Sequence, residues 1–197
     1  MKPILHAKSS VRKWGGEPED YVMIHDYMDY SKAFWPDVRH RIAMHHSLGC
    51  WMVEDRFGHE LINSSGKRFS PRDVAEQHCL EDHGTILTFR RWLQGITAKP
   101  PALAQEIKDE GRESFFKILM RPLDFEPDHP YAAILLLNDY GIWLVRESLG
   151  DQVAHEAVEW IRGKNEGVVP AFEDIAKCMT IQGWMSPPKT RERDLTR

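Results

Sequence analysis

Histidine and carboxylate side chains stand four residues apart at three places: His25 with Asp29, His78 with Asp82, and His155 with Glu159. On a helix that spacing puts both groups on one face, within reach of a shared proton or a metal ion. His155 sits among Gln152, Glu156 and Glu159 and reads as a solvated surface pair. His78 follows Val74 and Ala75 on the apolar side of its helix. It therefore points inward, and an inward histidine needs a partner.

His45 and His46 fall on a stripe made by Val38, Ile42, Gly49, Met52 and Val53, while His40, Ser47 and Glu54 form a second line at intervals of seven. Arg39 and Arg41 flank His40. Packed near Glu76, His78, Glu81 and Asp82, such a helix supplies imidazole and carboxylate ligands for one divalent transition ion, zinc, manganese or iron. The expected ligands are His45, His78, Asp82 and His40, with His25 and His40 as alternatives or supports for the ligands. Glu76 or Glu54 is the expected general base for an attacking water, and Arg41 the expected clamp for an anionic group such as phosphate. The competing reading is a buried histidine–carboxylate network that fixes helix packing without metal.

The elements that must position these groups follow from periodicity and punctuation. A short polar opening is expected to end at Trp14-Gly15-Gly16. A helix is expected from Pro18 to about Trp35, with apolar residues Tyr21, Ile24, Met28 and Trp35 at helical spacing. A second runs from Asp37 to Phe57 and stops at Gly58. Glu60 to Ser70 reads as a small β-hairpin turning at Asn63-Ser64-Ser65-Gly66. Ser70-Pro71-Arg72-Asp73 opens a third helix ending near Gly84. A short helix from Thr88 to Ile96 precedes the linker Ala98-Lys99-Pro100-Pro101. Beyond it Ala102–Met120, Tyr131–Leu149, Asp151–Arg162 and Ala171–Met179 carry helical periodicity. The fold class is thus mainly α, a helical bundle with one small hairpin near residues 60–70. Its expected division is a histidine-rich domain over 1–98, a helical region over 99–184 packed on it, and a flexible tail over 185–197.

Composition narrows the function. Of 10 histidines in 197 residues, 8 precede residue 84, about twice an even spread. A net charge of −4 and a pI near 6.2 argue against nucleic acid as a partner. Cys50, Cys79 and Cys178 are widely spaced and form no C-x-x-C pair, which points to a reducing compartment without thiolate zinc. No signal peptide or membrane-spanning run is visible, so a cytoplasmic location is expected. His25-Asp26 spells the dipeptide of HD-type phosphohydrolases, but one such dipeptide is expected by chance at this composition. Gly66-Lys67-Arg68 fails as a phosphate loop, because Leu61 stands where its first glycine belongs and Arg68 where Ser or Thr belongs.

Many short motifs of the first 97 residues occur in a familiar order: His6-Ala7-Lys8-Ser9-Ser10, Lys13-Trp14-Gly15-Gly16, Ile24-His25-Asp26, Arg39-His40-Arg41, Phe57-Gly58, Ile62-Asn63-Ser64 and Glu76-Gln77-His78. In this the chain resembles a family of small bacterial and phage proteins of unknown function. Ser65 departs from the pattern, since such proteins usually carry aspartate after Asn-Ser, and so does His83-Gly84. The resemblance implies a bacterial or phage cytoplasmic context and covers nothing beyond residue 98. Two functions are therefore carried forward: a metal-dependent hydrolase acting on a small anionic substrate, a phosphate ester, and a non-catalytic accessory protein that meets a phage or host protein through its C-terminal helices.

Overall fold

A computed structural model describes residues 2–95, 135–181 and 185. The linker at Ala98–Pro101, the expected helix Ala102–Met120, His129 and the expected tail apart from Met185 lie outside the described residues. The chain is mainly α with one two-stranded antiparallel hairpin. It divides into two compact units. The first takes residues up to Ser31, Asp37–Phe89 and the described residues from Ile181 on; the second takes Lys32–Pro36 and those between Arg90 and Thr180.

The first unit begins with helix α1, Pro3–Trp14, where the sequence suggested only a polar opening. Proline in its first turn and Arg12 and Lys13 in its last favour a helix. Its apolar residues Ile4, Ala7, Val11 and Trp14 recur at helical spacing, but the residues it buries are His6, Ala7 and Ser10. Helix α2, Glu19–Asp29, buries Tyr21, Ile24 and Met28 completely. It ends at Asp29, and a 3-10 turn over Tyr30–Ala33 replaces the expected continuation to Trp35.

The single helix expected from Asp37 to Phe57 is interrupted. Val38–Ile42 form a 3-10 turn capped by Asp37, and helix α3 runs only over Ser47–Phe57. Between them His46 is extended, with φ −155° and ψ 169°. His46 Nδ1 accepts from Gly49 N at 3.0 Å, while its Nε2–H is shared between the carbonyls of Ile42 and Ala43 at 3.0 and 3.1 Å. His46 is thus the N-cap of α3, a use of imidazole in place of the usual Ser or Asp. A Cβ on Gly49 would lie 1.9 Å from the Met44 carbonyl oxygen, so only glycine lets the chain fold back this closely. His40, Ser47 and Glu54 therefore do not share a helix face.

Strands β1, Leu61–Ile62, and β2, Arg68–Phe69, pair with Leu61 opposite Phe69. Asn63 organises the turn: its Oδ1 accepts from Ser65 N, Ser65 Oγ and Lys67 N at 2.8–3.1 Å, and its amide donates to the Trp14 carbonyl and the Tyr21 hydroxyl. Helix α4, Pro71–His83, opens on Ser70, whose hydroxyl accepts from Asp73 N, and closes at Gly84 in the left-handed region with φ 77°. It buries Val74, Ala75 and Cys79 and packs on α2 and α3. Each larger apolar side chain covered this way contributes about 1.5–3 kcal/mol. Cys50 and Cys79 meet with sulfurs 3.9 Å apart and are free thiols.

Helix α5, Phe89–Leu93, marks the passage to the second unit, which contains α6 (Asp139–Leu149), α7 (Asp151–Lys164) and α8 (Phe172–Lys177). The helix expected over Tyr131–Leu149 is broken at Asn138, whose side chain caps Gly141 N at 3.0 Å. Gly141 is pressed against the Leu136 carbonyl, 2.3 Å from where a Cβ would be. Leu136, Asn138 and Gly141 thus repeat, at the same spacing, the fold-back of Met44, His46 and Gly49. Among the described residues no helix is long and apolar enough to cross a membrane.

Candidate metal centre

Three segments of the first unit converge on one buried polar cluster of four residues. Asp29 closes α2, His45 stands in the fold-back before α3, and His78 and Asp82 lie one turn apart on α4. All four are buried. His45 Nε2 lies 3.0 Å from His78 Nε2, 3.3 Å from Asp29 Oδ1 and 3.2 Å from Asp82 Oδ2. His78 Nε2 lies 3.6 Å from each of the same carboxylate oxygens. A tetrahedral ion with bonds of about 2.0–2.2 Å has ligand–ligand edges of about 3.3–3.6 Å. The five edges measured here span 3.0–3.6 Å, so the donors already outline such a shell. The same atoms can instead share protons, with His45 Nε2–H donating into the group.

A second tier surrounds them. His40 donates Nδ1–H to the Asp37 carbonyl, which leaves its Nε2 facing Asp29 Oδ1 at 3.5 Å. His6 stacks on His78 with ring centres 3.9 Å apart, reaches Glu81 Oε2 at 2.5 Å through Nδ1, and has Nε2 at 3.6 Å from Asp82 Oδ1. His25 Nδ1 meets His78 Nδ1 at 2.9 Å, and its Nε2 meets Ser10 Oγ at 3.0 Å. Arg41 pairs with Asp82 Oδ2 at 3.0 Å and donates to the Met185 carbonyl at 3.1 Å.

The electrostatics suit a cation. Burial disfavours the charge on Asp29, but the surrounding imidazoles of His40, His45 and His78 outweigh it and hold the carboxyl below its usual range. For Asp82 the same burial is outweighed by His45, His6 and His78. Burial pushes His45 down to about 4 and His25 down to about 2, so both are neutral near pH 7. His6 goes the other way: burial opposes its charge, but Asp82 and Glu81 raise it. Arg41 pairs with Asp82 and His6 with Glu81, which leaves the charge of Asp29 facing the neutral ring of His45.

Of the expected ligands, His45, His78 and Asp82 come together, and His40 stands one contact further out. Their convergence had rested on two helices facing one another, and the 3.0 Å contact of His45 with His78 establishes it. The expected base and clamp residues are engaged elsewhere. Glu54 contacts His59 and Arg72, and Glu76 accepts from Arg72 at 3.0 Å, so both glutamates attach to Arg72 and not to the four-donor group. The Arg41 guanidinium serves Asp82, a donor of the site itself. Asp29 was visible as the partner of His25 but not as a member of this cluster, and His6 lies on a helix where only a polar opening was expected. His83, which the sequence did not place in the site, is buried with its ring 5.9 Å from that of His45.

No curated protein and no solved structure matches the chain. A family model does, and it spans the histidine-bearing N-terminal region, α1 through α5. The match takes in residues 1–101 of 197, and by it the chain belongs to the family described as Domain of unknown function (DUF6915).

Proposed function

We propose that the N-terminal unit binds one divalent first-row transition ion through Asp29, His45, His78 and Asp82. One observation carries this reading: two imidazole nitrogens and two carboxylate oxygens, drawn from three separate segments, have five of their six mutual distances at 3.0–3.6 Å, close to the edges of a tetrahedral shell. Asp29 and Asp82 both present carboxylate oxygen to the ion, with Asp82 shared with Arg41, while His6 pairs with the neighbouring Glu81. Nitrogen and oxygen donors without thiolate suit zinc, manganese or iron. An ion held by α2, the fold-back and α4 would tie together the segments that build this unit.

A second reading is favoured by the type of donor. Structural zinc sites are rich in cysteine, whereas two histidines with carboxylate oxygen is the donor chemistry of catalytic metal sites. An ion so held would supply Lewis acidity to a bound anion, and a phosphate ester is the substrate class proposed. This use requires an open position at the ion. The residue offered by the chain for anion contact is Arg41, which would have to be shared with Asp82.

Cobalt(II) substitution tests the binding proposal. Chelator-treated protein titrated with cobalt should develop the intense visible bands of a tetrahedral N/O site, saturating at one ion per chain. Weak octahedral bands, or no change, would overturn it. Turnover of p-nitrophenyl phosphate by the loaded protein, lost in His78→Ala, is the outcome expected of the hydrolase reading alone.

A further inference from the structure

His6, His25 and His78 form a second group of imidazoles close enough to suggest another ion site. Their hydrogen bonds assign them a different task. Ser10 Oγ donates its single proton to the His6 carbonyl, one turn back on α1, at 3.2 Å. Only lone pairs of that oxygen are then left for His25 Nε2, 3.0 Å away, so this nitrogen must carry the proton. His25 is fully buried, and its two ring nitrogens meet a hydroxyl and another imidazole and no acid, which holds it in the neutral form. A neutral imidazole has one N–H, so His25 Nδ1 is bare. It faces His78 Nδ1 at 2.9 Å, and a contact this short needs one proton between the two nitrogens. That proton belongs to His78 Nδ1. A lone pair is thereby left on His78 Nε2, the atom 3.0 Å from His45 Nε2 and 3.6 Å from both aspartate oxygens.

We propose that Ser10 and His25 are positioning residues that lock His78 in the Nδ1–H tautomer, aiming its Nε2 lone pair at the metal centre. The chain of bonds runs carbonyl, hydroxyl, imidazole, imidazole, and every proton in it has one place. Metal-bound histidines commonly donate their other N–H to a carboxylate or carbonyl, which orients the ring. Here a second histidine takes that role, itself oriented by a serine. His6 Nδ1 is held by Glu81 and His25 Nδ1 by the His78 proton, so the three rings support the metal centre and do not form a second one. The purpose of the relay rests on the metal reading; the tautomers themselves do not.

Long-range proton–nitrogen correlation spectra of the ion-free full-length protein read the tautomers directly. The expected result is Nε2–H for His25 and Nδ1–H for His78. An Nε2–H form of His78, or an Nδ1–H form of His25, overturns the relay, whether or not the protein binds metal. Predicted tautomers in a protein that takes up no cobalt uphold the relay and reject the metal centre. Zinc competition titrations measure its effect: Ser10→Ala should bind zinc about 10–100-fold more weakly. Ser10→Thr keeps a hydroxyl able to bond the same carbonyl and should bind within about threefold of the parent. An alanine variant that binds as the parent does, or a threonine variant as weak as alanine, overturns the role of the hydroxyl.

Discussion

Replacing His78 with alanine separates an ion site from a packing network, because the two readings differ in how the variant responds to metal and not merely in its stability. Without metal, the variant loses the ring stacked 3.9 Å from His6 and the proton donated to His25 Nδ1. A buried group left unpaired costs about 1–3 kcal/mol, and the vacated volume adds to it, so a loss of about 2–4 kcal/mol is expected under either reading. With metal the readings part. The donor edges of 3.0–3.6 Å need only a few tenths of an ångström of adjustment to hold an ion. At an ion concentration about 100 times its Kd the parent gains about 2.7 kcal/mol, which for a chain of this size raises Tm by about 5–11 °C. Removal of one of four ligands weakens binding about 100-fold or more, by comparison with the 10–100-fold cost of losing a supporting residue. At the same zinc concentration the variant then gains about 0.4 kcal/mol, a rise of about 1–2 °C. Scanning calorimetry of both proteins after chelator dialysis, with and without zinc, supplies the four melting temperatures. An equal rise in the two proteins, or no rise in the parent, would refute the reasoning.

Three further outcomes follow from the fold. Gly49→Ala drives a Cβ into the Met44 carbonyl and should cost about 1–3 kcal/mol or more in urea denaturation; a change below about 0.5 kcal/mol would contradict the close approach. Asn63→Ala leaves the Trp14 carbonyl and the turn amides of Ser65 and Lys67 without their partner, and should lower stability by about 2 kcal/mol or more on the same assay. His46 is held neutral: burial pushes it from 6.5 to about 3, and its Nδ1 must accept from Gly49 N. The unfolded chain binds that proton below pH 6.5 and the folded protein does not until about pH 3, so stability falls as pH drops through this window. The slope is up to about 1.4 kcal/mol per pH unit. His46→Asn, which places at α3 the cap already used by Asn138 at α6, should fold and show a flatter slope between pH 6.5 and 4. An unchanged slope would contradict the assignment.

Much of the first unit was legible because its signals are local. Ser70-Pro71 and Gly84 bound α4 chemically, the Asn63–Gly66 turn announces the hairpin, and apolar spacing finds α2. The missed element is α1: Ile4, Ala7, Val11 and Trp14 recur at helical spacing in the stretch expected to be only a polar opening, while the residues it buries, His6, Ala7 and Ser10, are mostly not those apolar ones. Periodicity also read through two fold-backs, at His46 and Asn138, because capping residue and tight glycine interrupt the backbone while the apolar spacing continues on either side. The site followed the same rule. His78 and Asp82 share a helix face and were found together; His45 was found on a helix that does not exist, yet pointed inward because the fold-back turns it there. Asp29 was not picked out because its place in the cluster depends on where α2 ends, and nothing in the spacing showed that Glu54 and Glu76 both meet Arg72.

The central claim is that a metal ion belongs in this cluster. Elemental analysis of the full-length protein, purified without a metal-affinity tag, tests it most directly, alongside an Asp82→Ala variant. The account predicts about one zinc, manganese or iron ion per parent chain and a near-complete loss in the variant. A parent chain that carries no metal and whose melting temperature is indifferent to added ions would contradict it.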